Sequence, residues 1–204
     1  KVTPDVLIPR PETETLVETL LLLNSKNPDE LPLRLLEIGT GSGAIAVVAA
    51  QEIPNCLVTA TDYFLEALAV ARLNAENHGV PDKINFVKSD MFLELPIVLY
   101  DCIVSNPPYI QTSRLNDLMT DVIDFEPQSA LDGGNDGLSF YKRIIPEALS
   151  YLKKGGAIVL EIGETQAKAV TRLFYQEDQY EEIKVIQDYS GYDRVVSARK
   201  KIYG

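Results

Sequence analysis

Residues 101–110 read DCIVSNPPYI, a strand-like run that halts in Asn106, Pro107, Pro108 and Tyr109. Proline carries no backbone N–H, and a residue before proline is held extended. Asn106-Pro107-Pro108 is therefore a stiff bracket offering the Asn106 amide oxygen and the Pro107 carbonyl as acceptors at fixed separation. Two such acceptors suit an –NH2 group conjugated to a carbonyl or an aromatic ring. That nitrogen is a poor nucleophile because its lone pair is delocalised. Gripping both of its hydrogens favours a pyramidal nitrogen with the lone pair freed, and Tyr109 can lie over the planar group and exclude water. Holding nitrogen and an electrophilic methyl about 3 Å apart, in line with the leaving group, supplies much of the rate. No general base is essential, since the proton can leave after transfer. A proline-stiffened turn accounts for the prolines but not for the Asn and Tyr that flank them.

Three other strand ends supply the electrophile's site. Glu37–Gly43, EIGTGSG, runs off an apolar stretch into a helical pattern. Gly39, Gly41 and Gly43 let the backbone turn tightly and approach a ligand, with Thr40 and Ser42 between them. The following helix start points free N–H groups the same way. The spacing is G-x-G-x-G rather than the G-x-G-x-x-G of nicotinamide binders. Glu37 stands where a carboxylate meets a ligand's ammonium group. Asp62 ends the next strand-like run, suited to both hydroxyls of a ribose; it would also serve to cap the helix that follows. In SDMF, Asp90 is placed to accept from an adenine amine, with Met91 and Phe92 as an apolar wall. No phosphate-gripping Lys follows the glycines. A nucleoside bearing an amino acid rather than phosphates fits best: S-adenosylmethionine, its sulfonium near Asn106.

The elements that must hold these residues alternate strand and helix. Strands are expected at 33–39, 56–62, 84–90, 100–106 and 156–163, with helices at 43–53, 65–79 and 165–177. Residues 136–156 read as a helix that Pro146 splits in two. Residues 180–190 and 193–201 close the chain as adjacent antiparallel strands, and Pro11 suits the first turn of an N-terminal helix. The fold class is thus α/β, a seven-stranded, mostly parallel sheet with one antiparallel strand and helices on both faces, ligands sitting at the strands' carboxyl ends. Residues 111–135, rich in Asp, Asn and Gly, are either a lid or a solvated connector. Residues 1–32 form a flank and helix before the 33–204 sheet core of a single catalytic domain.

Composition narrows the function. The 204 residues carry a net charge of −11 with only one histidine, His78, expected at a helix end. That rules against a Ser-His-Asp engine or a His-rich metal site, and no metal is expected. An acidic surface repels phosphate backbones and favours a basic protein partner. Cys56 and Cys102 sit in apolar runs and read as buried free thiols. No apolar run is long enough to cross a bilayer.

At NPPY the sequence resembles the class I, Rossmann-like S-adenosylmethionine-dependent amino-methyltransferases, which act on adenine, glutamine amide or some lysines. LIPRPETE (7–14), EIGTGSGAIA (37–46), SNPPYI (105–110), FEPQSALDGGNDGLSFY (125–141) and RVVSARK (194–200) together look like the bacterial-type release-factor glutamine methyltransferases. That resemblance spans nearly the whole chain. It implies methyl transfer to N(5) of the glutamine in the Gly-Gly-Gln loop of peptide chain release factors, leaving S-adenosylhomocysteine. Gly39–Gly43, Asp62, Met91 and Asn106 would bind cofactor; Asn106, Pro107, Pro108 and Tyr109 would receive the glutamine amide. Met91 departs from the aromatic or Leu usual there. The family's small helical N-terminal domain is missing from these residues. Arg10 with Glu12 or Glu14 lines the substrate mouth, or the acids merely complement a helix N-terminus. The implied partner is a release factor, with no membrane, a monomeric chain, a cytoplasmic setting (or an organelle, had a targeting segment been removed) and nucleic acid disfavoured. The competing readings are adenine-N(6) methylation of DNA or RNA and a non-catalytic cofactor-binding scaffold.

Overall fold

Leu35 and Leu36 are adjacent, and both are fully buried, on opposite faces of one sheet. Successive strand side chains point to opposite faces, so a strand buried on both must be apolar throughout. The computed structural model describes residues 1–24, 32–117 and 125–203. Its elements run α1 (Thr13–Asn24), β1 (Leu33–Ile38), α2 (Ala44–Glu52), β2 (Cys56–Asp62), α3 (Leu65–Asn77), β3 (Ile84–Lys88), β4 (Tyr100–Ser105), α4 (Ser139–Ala148), β5 (Leu152–Glu161), α5 (Ala167–Gln176), β6 (Tyr180–Gln187) and β7 (Asp193–Lys200).

The sheet order is β3-β2-β1-β4-β5-β7-β6. All pairings are parallel except those of β7, which runs antiparallel to both β5 and β6. On one face Leu35, Val58, Cys102 and Val159 pack with Leu16 and Leu20 of α1, Ala46 of α2 and Leu68 of α3. On the other, Leu36, Ile103, Ile158 and Val196 pack with Tyr141 and Ile144 of α4 and Val170 and Phe174 of α5. The order reverses between β1 and β4, with Glu37 beside Val104 and Ile38 beside Ser105. The crevice beyond that reversal is where open α/β sheets bind ligands. Cys56 and Cys102 are free and buried, and His78 is the C-cap of α3.

Two expectations need correcting. Pro146 does not split its helix: it lies within α4, near the end, and the helix stops at Ala148. A proline so near the C-terminus forfeits one backbone bond without a second segment to break away. Residues 152–155 are not helical but open β5, which starts at Leu152. Gly155, at φ 76°, accompanies the register shift between Tyr100 and Cys102. Of the 111–135 stretch, residues 118–124 lie outside the described ones. Thr112–Asp117 and Gln128–Ala130 are short 3-10 turns, and Ile110 bridges Asp132.

Candidate active site

A cleft of about 450 Å³ opens at the carboxyl ends of β1, β2 and β4. Its size falls in the ~300–1,000 Å³ range of small-molecule sites. Gly39, Thr40, Gly41, Ser42, Asp62, Asp90, Met91, Asn106, Pro107 and Pro108 all line it. Gly39 (φ 72°) and Gly41 (φ 53°) have left-handed backbones, and nothing lies within 4 Å of where a Cβ would stand. The glycine loop thus leaves an open cradle on its cleft side. Gly43 does another job: a Cβ there would come within 2.9 Å of Ala71 Cβ, so it lets α2 close on α3.

Asp62 joins two turns. Its Oδ2 accepts from Gly41 N (2.9 Å) and its Oδ1 from Phe64 N (3.0 Å). It therefore braces the start of α3, and spare lone pairs on both oxygens remain for further donors. Burial raises its pKa against these backbone bonds. Glu37 is only 1% exposed and lies outside the cleft wall. Its Oε2 accepts from the Thr40 hydroxyl at 2.7 Å, while among the described residues Oε1 has no hydrogen-bond partner. Burial pushes the carboxyl up to about 8, opposed by the Thr40 bond and reinforced by Asp62.

At the far end Met91 takes φ 55°, rare for a side chain with a Cβ, and the Ser89 hydroxyl donates to its carbonyl at 2.8 Å. The turn buries Met91 at the cleft wall. Asp90 is not free. Its Oδ1 pairs with Arg143 Nη2 of α4 at 3.1 Å, and Arg143 lines the same cleft. Nothing in the SDMF pattern points to that arginine, which is 53 residues away.

The bracket follows β4 directly. The Ser105 hydroxyl donates to the Ile38 carbonyl at 2.7 Å, tying β4 to β1 just before it. Asn106 Nδ2 donates to the Thr13 hydroxyl of α1 at 3.3 Å. Among the described residues no donor bonds Asn106 Oδ1 or the Pro107 carbonyl. Tyr109 lies outside the cleft wall, its ring beside Gly163. Burial and then the Glu161 charge push its phenol up to about 12.

Side chains that sequence reasoning missed hold this segment. Gln166 Nε2 donates to both the Tyr109 and Gly137 carbonyls at 3.0 Å, and its Oε1 accepts from Gly163 N at 2.9 Å. A Cβ on Gly133 would sit 2.7 Å from Tyr109 Cα, and one on Gly137 2.5 Å from the Tyr109 carbonyl. The LDGGNDGL run is thus a close-fitting backing for Pro108 and Tyr109. Arg10 forms an ion pair with the buried Glu126, joining RPETE to FEP. The repeated LEIG at 36–39 and 160–163 was the available signal for Glu161, which is the last residue of β5, as Glu37 is the last but one of β1.

The family described as methyltransferase small domain matches residues 13–134. Release factor glutamine methyltransferase of Coxiella burnetii is 45% identical over 201 residues, covering 98% of this chain and 69% of that protein. Those of Gloeobacter violaceus and Rhodopirellula baltica are 38% and 40% identical, covering 96% and 98% of this chain and 68% of each relative. The chain belongs to the release factor glutamine methyltransferase family. Among solved structures, the hMettl16 catalytic domain superposes with a TM-score of 0.76 at 18% identity, covering all of this chain and 75% of that one. TrmN from Thermus thermophilus gives 0.64 at 24% identity, covering 90% and 48%. These likenesses establish the class I methyltransferase fold.

The residues present fit S-adenosylmethionine, the cofactor of this methyltransferase family. The open cradle at Gly39 and Gly41 admits a ligand against the backbone. Glu37 Oε1, without a hydrogen-bond partner among the described residues, is an acceptor suited to an ammonium group, and Asp62 adds acceptors one strand over.

Proposed function

We propose that this protein methylates N(5) of the glutamine side chain in the Gly-Gly-Gln loop of peptide chain release factors. The observation that carries this reading is the bracket itself: two acceptors, Asn106 Oδ1 and the Pro107 carbonyl, that no donor among the described residues bonds, at the wall of a nucleoside-sized cleft. When bound, S-adenosylmethionine supplies an activated methyl group. Asn106 Oδ1 and the Pro107 carbonyl each accept one hydrogen of the glutamine NH2. That grip fixes the nitrogen and turns its lone pair toward the cleft. Tyr109, outside the cleft wall, covers the amide from the substrate side. The nitrogen sheds its proton once the new bond has formed, so no side chain need act as base. On the cofactor side, Gly39–Ser42 provide backbone contact, Glu37 an acceptor for an ammonium group, Asp62 acceptors for ribose hydroxyls, and Asp90 with Met91 the adenine end.

The chain acts as a monomer on a protein partner, and its net charge of −11 disfavours nucleic acid as substrate. A release-factor substrate implies a cytoplasmic site of action. No helix among the described residues is long and apolar enough to cross a membrane.

The test is methyl transfer from labelled cofactor to a release factor, its Gln→Ala loop variant and duplex DNA. Label on the wild-type release factor alone is expected. Label retained on the Gln→Ala protein, or found only on DNA, rejects the assignment; no label with cofactor bound indicates a non-catalytic scaffold.

A further inference from the structure

Glu161, at the end of β5, is a buried acid that the mechanism above leaves unused. It is 1% exposed, and among the described residues its Oε2 has no hydrogen-bond partner. An unpaired oxygen on a buried carboxyl is costly, and an apolar residue would pack there more stably. The side chains of Thr13 and Asn106 border it, and both favour its ionised form. Thr13 is also the residue whose hydroxyl accepts from Asn106 Nδ2 at 3.3 Å.

The two ends of an amide are nearly equal in size and opposite in hydrogen-bonding sense. Flipped by half a turn, Asn106 would present donors to the cleft and repel an incoming NH2. Packing alone does not choose between the two orientations; acceptors behind the amide do. We propose that Glu161 and Thr13 are positioning residues that draw the Asn106 NH2 inward and so keep its oxygen toward the substrate, an inference that rests on the methylation reading above. The charged and titratable groups facing Glu161 are Arg194 of β7, Glu12 just before α1, Tyr109, and Tyr141 of α4, whose hydroxyl donates to the Glu161 carbonyl at 2.8 Å. Arg194 is itself held by Asp188 at 3.2 Å. Burial pushes Glu161 up to about 7, opposed by the Thr13 hydroxyl and Arg194 and reinforced by Glu12. Ionised, the carboxyl only accepts and holds the productive amide orientation. Protonated, it offers a donor that favours the flipped one.

The experiment compares wild type, Glu161→Gln, Thr13→Val and Thr13→Ser. It measures kcat on a release factor across neutral pH, cofactor Kd by calorimetry, and the Asn106 NH2 signals in a proton–nitrogen correlation spectrum. Glu161→Gln and Thr13→Val are each expected to lower kcat roughly tenfold, about one lost hydrogen bond, with cofactor Kd unchanged. Thr13→Ser restores it. The wild-type rate rises with pH through about 7 and Glu161→Gln loses that limb. The Asn106 NH2 signals move in Glu161→Gln. Unchanged kcat in both variants, a limb that survives Glu161→Gln, or cofactor affinity falling in step with kcat overturns the proposal. Should Glu161→Gln fail to fold, the Thr13 pair decides. A wild type inactive on the release factor sinks the methylation reading instead, and the Asn106 signals still report whether Glu161 orients the amide.

Discussion

Asn106 is shared between two jobs, and its two ends divide them. Nδ2 faces Thr13, while Oδ1 is free of protein donors among the described residues. Truncating it removes the acceptor that distinguishes a gripped nitrogen from a loose one. Asn106→Ala is expected to lower kcat by about 10²–10³-fold, the scale of losing one preorganised polar group, while cofactor Kd stays within about threefold of wild type. Full turnover in that variant would contradict the bracket mechanism. Asp62 has the opposite profile. Its oxygens already steady Gly41 and Phe64 and have capacity to spare. Asp62→Ala is expected to weaken cofactor binding by about tenfold or more, with a smaller change in kcat at saturating cofactor. Calorimetry paired with steady-state kinetics separates the two residues.

Among the elements, the decisive contact is between the turn after β4 and the loop that leads into α4. Gly133 has an ordinary backbone, so a substitution there tests space alone. Its added Cβ would meet the Tyr109 Cα at 2.7 Å and the Pro108 carbonyl at 2.8 Å. Both are backbone atoms and cannot swing aside. Gly133→Ala is expected to cost about 1–3 kcal/mol of stability, the usual penalty for overpacking. It should also lower kcat beyond what the folded fraction explains, because the displaced atoms carry the bracket. Denaturant melts alongside kcat per folded molecule check this; a destabilised variant with full kcat would show that the backing loop does not set the bracket. Helix α1 has a comparable double role. Leu16 and Leu20 anchor it to the core, and that anchoring brings Thr13 against Asn106.

For the molecule as a whole, burying acids makes stability depend on pH in an unusual direction. Glu37 moves from 4.5 to about 8 on folding and Glu161 from 4.5 to about 7. Both bind protons more tightly folded than unfolded, so folding takes up protons between these limits. Their contribution is fully present below about pH 4.5 and is lost as pH climbs through about 7 to 8. The thermal midpoint of the free protein is expected to fall between about pH 5 and pH 8, and Glu37→Gln to flatten that fall. A midpoint that rises over the same range, measured by calorimetry, would show that these acids ionise without cost.

The strands and the glycine loop were legible because their causes are local: apolar runs bounded by Gly and Pro, and prolines that restrict their own neighbours. The same locality makes Asn106-Pro107-Pro108 readable as a pair of acceptors from residue types alone. It also explains why Leu152–Gly155 reads as helix, since KKGG resembles a helix end and only pairing with β4 makes it strand. Thr13 lies 93 residues from Asn106, and Gln166 lies 57 from Tyr109. No spacing rule links such positions, because sheet order and helix packing bring them together. Local covalent geometry therefore determined what the site offers, two acceptors beside a nucleoside cradle. Tertiary packing alone decided which end of Asn106 faces the cleft, since that orientation depends on acceptors carried by distant elements.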